Sequence, residues 1–346
     1  MAKLLIKKNI PLKDLTTFRV GGYASYFVQV HNKKELLEVV DFAKSQNLPI
    51  FVLGGGSDIL VSDEGFSGLV IKYSNAKLSF LEKGERVFVT AEAGMIWDNL
   101  VKECVSRNLQ GVECLSGIPG SVGAAPIQNI GSYGQELKDS FLELNAFDFF
   151  ENKFVVLQKK DCKFTYRESI FKDKKNKGRY LILNITLGLK KNLAPTLTYE
   201  SLISYLKEKE IKNPTLAQVR NAVLEIRGQK LEDPKVLGNA GSFFKNPIVA
   251  KEVLEELKKE YKDIPYHYSD DGKAKLYAGW LVEKSGWRGK NYKNAKVSEK
   301  NALVILNPKG KASAKEVKDL ADQISKDVYE IFKVRLEPEV QYIGFT

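Results

Sequence analysis

The sequence predicts a mixed α+β (α/β) protein, because two kinds of hydrophobic pattern alternate along the chain. Short apolar runs rich in β-branched and aromatic residues, such as residues 26–30 (YFVQV), predict strands. Longer segments with apolar residues every three or four positions, such as residues 33–46, predict helices. Glycine-rich segments separate these elements. The alternation is typical of domains in which helices pack on a sheet.

The first predicted domain covers residues 1–75. It contains the strand at 26–30, the helix at 33–46 and a second strand at 69–73 (LVIKY). Between them, the apolar run at 49–53 ends in three glycines. The order strand, helix, strand and glycine loop predicts a small α/β unit.

The second predicted domain covers residues 76–213. It begins with a strand at 86–91 (RVFVTA) and a helix at 95–108. After a glycine-rich segment, strand patterns recur at 141–150, 153–157 and 179–190. Few helices and several strands predict an α+β domain.

The third predicted domain covers residues 214–334, and a tail at 335–346 follows it. Its predicted elements are helices at 216–229, 274–284 and 314–332, a loop at 238–247 and a buried strand at 302–306. The apolar stripe predicted for the last helix consists of Val317, Leu320, Ile324, Val328 and Ile331. The tail is apolar at intervals, which predicts an extended segment.

Composition excludes several classes of protein. Apolar residues make up 43% of the 346 residues, but no run approaches the roughly 18 needed for a transmembrane helix. The N-terminal sequence MAKLLIKKNI lacks the apolar core of a signal peptide, so we expect a cytoplasmic protein without membrane insertion. The three cysteines form no CxxC pair, and the two histidines lie at no metal-ligand spacing. We therefore expect buried thiols and no metal site.

The net charge of +11 favours anionic partners. However, the lysines are spread along the chain and mixed with acidic residues, as at residues 254–262 (LEELKKEYK). The sequence has no RNA-binding signature and no basic arm. We interpret the charge as a solvated surface and expect no nucleic-acid partner.

Two glycine-rich segments are candidates for ligand binding. Residues 54–58 (GGGSD) follow an apolar strand, and residues 116–128 (SGIPGSVGAAPIQ) carry glycines at three-residue spacing. Such segments let backbone N–H groups approach a phosphate or a flat ligand. The first could equally be an ordinary turn and the second a tight buried crossover. Neither is the G-x-G-x-x-G of a dinucleotide-binding Rossmann unit.

Seven motifs together resemble one enzyme family in their order along the chain. They are 16–22 (TTFRVGG), 54–58, 116–134 (SGIPGSVGAAPIQNIGSYG), 162–172 (CKFTYRESIFK), 238–247 (GNAGSFFKNP), 278–280 (AGW) and 336–344 (LEPEVQYIG). In this order they closely resemble the UDP-N-acetylenolpyruvoylglucosamine reductase (UDP-N-acetylmuramate dehydrogenase) family, in its longer form with the YRESIFK segment.

This resemblance implies a two-subdomain FAD-binding fold of the vanillyl-alcohol-oxidase type, followed by a C-terminal α+β domain that closes on the UDP-sugar. It also implies a noncovalent FAD and NADPH as the hydride donor. The FAD-binding residues that it implies are Gly54, Gly55, Gly56, Ser57, Asp58, Gly117, Ile118, Pro119, Gly120, Ser121, Gly123 and Ala124.

Asp58 departs from the pattern of the family, whose glycine loop usually ends in Asn. A carboxylate beside a pyrophosphate would repel it. We expect Asp58 to point away from the phosphates and to cap the following turn.

The resemblance also implies the chemistry. Reduction of an enolpyruvyl ether needs a hydride at one alkene carbon and a proton at the other, while the substrate carboxylate takes up developing charge. Arg167 would grip that carboxylate with two parallel hydrogen bonds, Ser242 would donate the proton, and Glu337 would polarise the carboxylate or support the enol. The residues implied for the uridine diphosphate are Tyr199, Lys230, Lys245 and Asn246.

Two other functions stay open at this point. The first is an FAD-linked oxidase or dehydrogenase of the same fold, many of which attach flavin through a nearby histidine or cysteine. Neither residue type occurs between residues 51 and 73. The second is a basic binding protein without catalysis. For the reductase, UDP-N-acetylglucosamine enolpyruvate and NADPH are the expected partners, and we expect a monomer.

Overall fold

The computed structural model describes residues 4–268 and 272–345, so residues 1–3 of the predicted first domain, 269–271 of the predicted third domain and 346 of the predicted tail lie outside it. The described helices are α1 (Lys33–Ser45), α2 (Trp97–Ser106), α3 (Leu137–Ser140), α4 (Glu200–Glu208), α5 (Leu216–Lys230), α6 (Lys251–Glu260), α7 (Ala278–Lys284) and α8 (Ala314–Phe332). The strands of the first half are β1 (Lys7–Pro11), β2 (Tyr23–Val30), β3 (Ile50–Val52), β4 (Ile59–Val61), β5 (Phe66–Tyr73), β6 (Leu78–Lys83), β7 (Arg86–Glu92), β8 (Leu109–Gln110), β9 (Gly131–Ser132), β10 (Gln135–Glu136), β11 (Phe141–Asp148), β12 (Lys153–Gln158) and β13 (Tyr180–Lys191). Those of the second half are β14 (Gly238–Ser242), β15 (Ile248–Val249), β16 (Tyr266–Tyr268), β17 (Ala274–Leu276), β18 (Asn291–Tyr292), β19 (Ala295–Val297), β20 (Val304–Asn307) and β21 (Gln341–Ile343).

The chain divides into two compact units. The first unit consists of Met1–Ile10, Ala24–Gly55 and Ser67–Gln229. The second unit consists of Pro11–Tyr23, Gly56–Phe66 and Lys230–Thr346. The second unit therefore includes two segments from the first quarter of the chain. No change of composition in the sequence indicates that these segments belong to it. The three predicted domain boundaries stay predictions.

The first unit contains two main sheets. The order of the four-stranded sheet is β1-β2-β5-β3, in which β3 runs parallel to β5. The larger sheet has the order β12-β11-β13-β7-β6, and its pairs are antiparallel. Alternate residues of β13 and β7 are buried in one core with the inner faces of α1 and α2. A smaller apolar cluster joins α4 to α5.

The second unit is built around the antiparallel sheet β14-β20-β19-β18 and a three-stranded sheet β15-β17-β16. Its core includes the buried stripe of α8. Ser313 and Glu316 form a capping box that fixes the first turn of this helix. The tail strand β21 pairs in parallel with β4, so an early and a late segment complete one structure.

Most long elements were predicted to within a few residues, but three predictions were wrong in part. Residues 238–242 form β14 and not a loop, because the strand pairs with β20. Residues 274–276 form β17, and α7 begins only at Ala278. Ile331 is 45% exposed, because the buried stripe of α8 continues one position later at Phe332.

The cysteines of the described chain agree with the expectation of buried thiols. All three cysteines are buried free thiols, and burial raises the pKa of Cys104, Cys114 and Cys162 to about 12. Within residues 4–268 and 272–345, no helix is both long and apolar enough to cross a membrane.

Candidate active site

The two glycine loops of the sequence lie against each other in the first unit. A methyl group added at Gly55 would lie 2.6 Å from the α-carbon of Gly120. One added at Gly54 would lie 2.9 Å from Oγ of Ser121 and 3.0 Å from the β-carbon of Ala124. Only glycine permits this approach of two backbones. Residues 54–55 and 117–124, which are separate motifs in the sequence, therefore form one surface, which we call the glycine surface.

This surface has backbone donors to offer. Among the described residues, five of its N–H groups donate no hydrogen bond within the protein: those of Gly54, Gly55, Ile118, Gly120 and Ser121. Clusters of backbone N–H groups on glycine-rich turns bind phosphate groups. The donors and the lack of side chains fit the diphosphate of a dinucleotide such as FAD. Pro119 lies among them and has no N–H to offer.

Gly123 is constrained by packing. Its N–H donates to the carbonyl oxygen of Ala93 at 3.0 Å, and an added methyl group would lie 2.6 Å from the β-carbon of Ala93. At this position the second loop packs as a buried crossover does, while the residues before it carry the available donors. The predicted role of Gly123 in FAD binding stays a prediction.

The rest of the first loop belongs to the second unit. Gly56 has a φ of +71°, and an added methyl group would lie 1.9 Å from the carbonyl oxygen of Leu15. Asp58, which follows Ser57, has a φ of +57°, and its carbonyl oxygen accepts the N–H of Gln341 at 3.0 Å. Asn and Asp are the side chains that best tolerate this left-handed conformation. The backbone therefore explains why Asp can stand where the resembling family has Asn.

Arg167 lies at the tip of a tight turn in the first unit. Thr165 and Glu168 exchange backbone hydrogen bonds around it, and Arg167 itself has a φ of +55°. Its Nη2 donates to the carbonyl oxygen of Gly131 at 2.9 Å. Lys172 Nζ donates to the carbonyl oxygen of Arg167 at 3.1 Å. The hydrogen bond to Gly131 restricts the direction of the half-buried guanidinium, as a carboxylate-binding group requires.

A second arginine, which no motif of the sequence identifies, interacts electrostatically with Arg167. Arg227 on α5 is half-buried, and burial lowers its pKa, as does the charge of Arg167. Tyr133 and Asp98 act in the opposite direction. Among the described residues, the Arg227 guanidinium makes no hydrogen bond. The first unit thus holds two neighbouring positive charges, which suits an anionic ligand.

Tyr199 stands immediately before α4, as its N-terminal cap residue. Its ring meets that of Tyr133 edge to face, with ring centroids 5.6 Å apart. Burial raises the pKa of Tyr133, against the opposing effect of Arg227. The structure therefore places the predicted Tyr199 against Tyr133, whose pKa also responds to the charge of Arg227.

In the second unit, the segment at residues 242–247, where β14 ends, lies against the C-terminal tail; we call this segment the Ser242 loop. Glu339 N–H donates to the carbonyl oxygen of Phe243 at 2.8 Å, and Lys245 N–H donates to that of Glu337 at 2.9 Å. Lys245 Nζ lies 3.7 Å from the carboxylate of Glu337. Three of the predicted site residues, Ser242, Lys245 and Glu337, therefore lie on two adjoining backbone segments.

Ser242 ends β14 and is half-buried, directly after Gly241 with a φ of +76°. The N–H of Gly241 donates to Oδ1 of Asn239 at 2.9 Å, which fixes the turn. Among the described residues, Oγ of Ser242 makes no hydrogen bond. The hydroxyl is therefore available as a donor to a ligand.

The motif at residues 16–22 makes hydrogen bonds to β14 and to its neighbour β20. Asn239 N–H donates to the carbonyl oxygen of Thr17 at 3.1 Å, and Asn307 Nδ2 donates to that of Phe18 at 3.3 Å. A methyl group added at Gly238 would lie 2.6 Å from the same oxygen of Phe18. Motifs far apart in the sequence thus meet in one place.

The other two predicted substrate residues differ in their surroundings. Asn246 Oδ1 accepts the N–H of Ala278 at 3.0 Å, so its carbonyl side is engaged with the start of α7. Lys230 is exposed at the end of α5 and makes no hydrogen bond or ion pair to a described residue. Their role in ligand binding stays a prediction.

Two models of known protein families match separate parts of the chain. Residues 24–149 match the model of an FAD binding domain, and residues 229–343 match that of the C-terminal domain of UDP-N-acetylenolpyruvoylglucosamine reductase. A UDP-N-acetylenolpyruvoylglucosamine reductase of Pseudomonas fluorescens is 39% identical over 337 residues, which cover 97% of this chain and 98% of that protein. One from Neisseria gonorrhoeae is 38% identical over 340 residues, covering 98% and 97%.

Solved structures agree with these matches. The crystal structure of UDP-N-acetylenolpyruvylglucosamine reductase from Thermus caldophilus superposes with a TM-score of 0.68 at 25% identity, over 99% of both chains. A solvent-stable cholesterol oxidase superposes with a TM-score of 0.53 at 12% identity, over 100% of this chain and 89% of that one. The second likeness concerns the fold alone. Together they confirm the predicted FAD-binding fold with a C-terminal α+β domain.

Proposed function

Since the chain belongs to the UDP-N-acetylenolpyruvoylglucosamine reductase family, it is an FAD-dependent oxidoreductase of peptidoglycan synthesis, and we propose that it uses NADPH to reduce UDP-N-acetylglucosamine enolpyruvate to UDP-N-acetylmuramate. The observation that carries the catalytic part of the proposal is the contact of the Ser242 loop with the Glu337 tail. It supports a joint action of two residues that only the family pattern connected.

The glycine surface is the proposed place for the diphosphate of FAD. The residues that would hold it are those whose backbone is accessible there, Gly54, Gly55, Ile118, Gly120 and Ser121. When bound, FAD supplies the hydride for the alkene. We propose that the protein binds it without a covalent bond, because neither histidine nor cysteine occurs between residues 51 and 73.

The proposed substrate chemistry begins with Arg167. Its guanidinium is permanently charged and can bind the substrate carboxylate through two parallel hydrogen bonds. This carboxylate is conjugated with the alkene, so negative charge that develops during reduction reaches it. A fixed guanidinium then stabilises the transition state more than the ground state. The hydrogen bond from Nη2 to the carbonyl oxygen of Gly131 supports this role, because it already restricts the side chain before a ligand binds.

Protonation is the proposed task of Ser242. Its hydroxyl would give a proton to the carbon next to the substrate carboxylate, where charge accumulates after hydride addition. A serine hydroxyl is a weak acid, but the enolate carbon is a strong base. Glu337 would polarise the substrate carboxylate or support the enol, from the segment that adjoins the Ser242 loop.

For the uridine diphosphate we propose Tyr199, Lys230, Lys245 and Asn246. Lysine suits a diphosphate as a mobile point charge, and the phenol hydroxyl of tyrosine can donate to a phosphate oxygen. The neighbourhood of Tyr199, Tyr133 and two arginines supports a site for an anion in the first unit. A cytoplasmic location and a monomeric state remain predictions.

Acid precipitation of the purified protein tests the cofactor proposal. The protein should be yellow, and the precipitation should release all of the flavin into the supernatant. Colour that stays in the pellet would show a covalent flavin and point to the oxidase alternative. A protein that stays colourless after FAD is added would point to a binding protein without catalysis.

A further inference from the structure

One carboxylate ties the second glycine loop to α5. Asp98, in the first turn of α2, accepts the backbone N–H of Gly117 at 2.6 Å. It also accepts Nη1 and Nη2 of Arg220 at 2.6 and 2.7 Å, one on each carboxylate oxygen. Such two-pronged pairs fix both position and orientation. The side chain of Arg220 is only 11% exposed, so this pair is better shielded from water than an ordinary surface ion pair.

Asp98 binds the backbone N–H of Gly117, the residue at which the second loop enters the glycine surface. Gly117 has a φ of +70°, which lets the chain turn into Ile118 and Gly120. A methyl group added at Gly117 would lie 2.8 Å from Cδ2 of Leu224 and 3.3 Å from Nε of Arg227. The loop therefore packs directly on α5, and Asp98 binds both the loop, at Gly117, and the helix, at Arg220.

The same helix carries both arginines. Arg220 and Arg227 are seven residues apart, which places them on one face of α5, two turns from each other. Asp98 therefore joins the loop, at Gly117, to the helix that carries Arg227. One carboxylate thus links the position of the loop to that of Arg227.

Charge gives the pair a second consequence. A lone carboxylate beside a diphosphate-binding loop would repel the ligand. Arg220 neutralises this carboxylate while leaving Arg227 as net positive charge. Burial alone would raise the pKa of Asp98, but the hydrogen bonds from Arg220 and Gly117 outweigh it and hold the pKa below its usual value. Asp98 therefore stays an acceptor at neutral pH.

We propose that Asp98 is a positioning residue for FAD: it fixes the entry of the glycine loop at Gly117 and, through Arg220, the placement of Arg227. This rests on the proposed use of that loop for FAD. In this proposal Asp98 does not contact FAD; it affects FAD binding through the position of the loop at Gly117.

The chain offers a matched control in the same unit. Asp148 also binds an arginine with both carboxylate oxygens: Nε of Arg179 lies 3.1 Å from Oδ1, and Nη2 lies 2.8 Å from Oδ2. It also accepts backbone N–H groups, those of Phe150 and Glu151 at 3.0 and 3.2 Å. These partners lie in the turn after β11 and just before β13. The two aspartates thus make the same kinds of bond, and only Asp98 makes one to the glycine loop.

The test compares Asp98→Asn with Asp148→Asn as full-length holoproteins. Each is diluted stepwise, and FAD that passes an ultrafiltration membrane is measured to obtain the Kd. Thermal unfolding is followed on the same samples by circular dichroism. Asp98→Asn should raise the Kd of FAD by about tenfold or more, the scale of one charge-assisted hydrogen bond. Asp148→Asn should leave the Kd within about twofold of wild type, although it also lowers the unfolding temperature.

Other results would overturn the proposal. Equal increases of the Kd in both variants would show that Asp98 acts only through general stability, and no increase in Asp98→Asn would show that the loop does not depend on it. If either aspartate variant does not fold, Arg220→Gln and Arg179→Gln are compared by the same criterion. If wild type itself does not retain FAD, the proposed function fails as well, and this outcome is distinct because it does not depend on any variant.

Discussion

The backbone N–H of Lys245 donates to the carbonyl oxygen of Glu337 at 2.9 Å, and the side chains of the two residues form an ion pair at 3.7 Å. The side chain of Glu337 is 76% exposed, so the ion pair contributes at most about 1 kcal/mol. The backbone contacts of the two segments, including the one from Glu339 to Phe243, are therefore what hold the tail beside Ser242. Glu337 is placed by its backbone while its carboxylate stays open to a ligand.

Gly55→Ala should weaken FAD binding by about tenfold or more and cost about 1–3 kcal/mol of stability. The added methyl group would lie 2.6 Å from the α-carbon of Gly120, and backbone cannot move aside as a side-chain tip can. Measurement of the FAD Kd and of urea unfolding checks both effects.

Gly228→Ala is the control for that change. Gly228 lies in α5, and an added methyl group meets no described heavy atom within 4 Å. Alanine should leave the FAD Kd unchanged and should raise stability by up to about 1 kcal/mol through its helix propensity. If the two glycine variants behave alike, the contact between the loops does not form the FAD surface.

Asp58→Asn should change FAD retention little. Asn tolerates the φ of +57° as well as Asp does, and the carbonyl oxygen that binds Gln341 is unaffected. Titration of the apoprotein with FAD gives the affinity. A clearly tighter complex would instead place the Asp58 carboxylate against the phosphates.

Arg167→Lys should lower kcat by about 10²–10³-fold, because lysine keeps the charge but loses the two-pronged grip on a carboxylate. Lysine also loses the fixed geometry that the bond from Nη2 to Gly131 provides. Steady-state kinetics measure the loss, with Arg107→Lys as the control, since Arg107 forms an exposed ion pair with Glu103. Nearly full activity of Arg167→Lys would exclude Arg167 as the carboxylate clamp.

Ser242→Ala should separate the two halves of the reaction. Under nitrogen, NADPH should bleach the flavin absorbance at the wild-type rate, because that step needs no proton on the alkene carbon. The return of colour on addition of the enolpyruvyl sugar should be slower by about 10²–10⁴-fold. Since Oγ makes no hydrogen bond within the described protein, stability should be unchanged. Slowing of the bleaching step alone would instead assign the Ser242 loop to the nicotinamide.

Sequence patterns predicted the elements that depend on local chemistry. The long helix α8 was predicted with its bounds, since its apolar stripe and its capping residues lie within one segment. Both glycine loops were predicted because glycine runs among apolar strands are unusual. Their mutual contact was not, because nothing in either segment identifies the other as its neighbour.

Pairs distant in sequence could not be predicted. The seven-residue spacing of Arg220 and Arg227 was a visible signal for one helix face, but it does not reveal Asp98 or Gly117 as partners. The sequence predicts a loop at β14, because GNAGS lacks strand-forming side chains, and pairing with β20 overrides that weak local preference. Tertiary contacts decide such positions.

The most direct test of the whole account is the reaction itself. Purified protein is mixed with NADPH and UDP-N-acetylglucosamine enolpyruvate, NADPH absorbance is followed, and the sugar nucleotide is analysed by mass spectrometry. Beyond the one molecule that reduces each bound flavin, we predict that NADPH is consumed only when the enolpyruvyl sugar is present, one molecule for each product, and that the product carries two more hydrogen atoms than the substrate. Continued NADPH turnover that does not depend on the sugar, or an unchanged mass of the sugar nucleotide, would contradict the account.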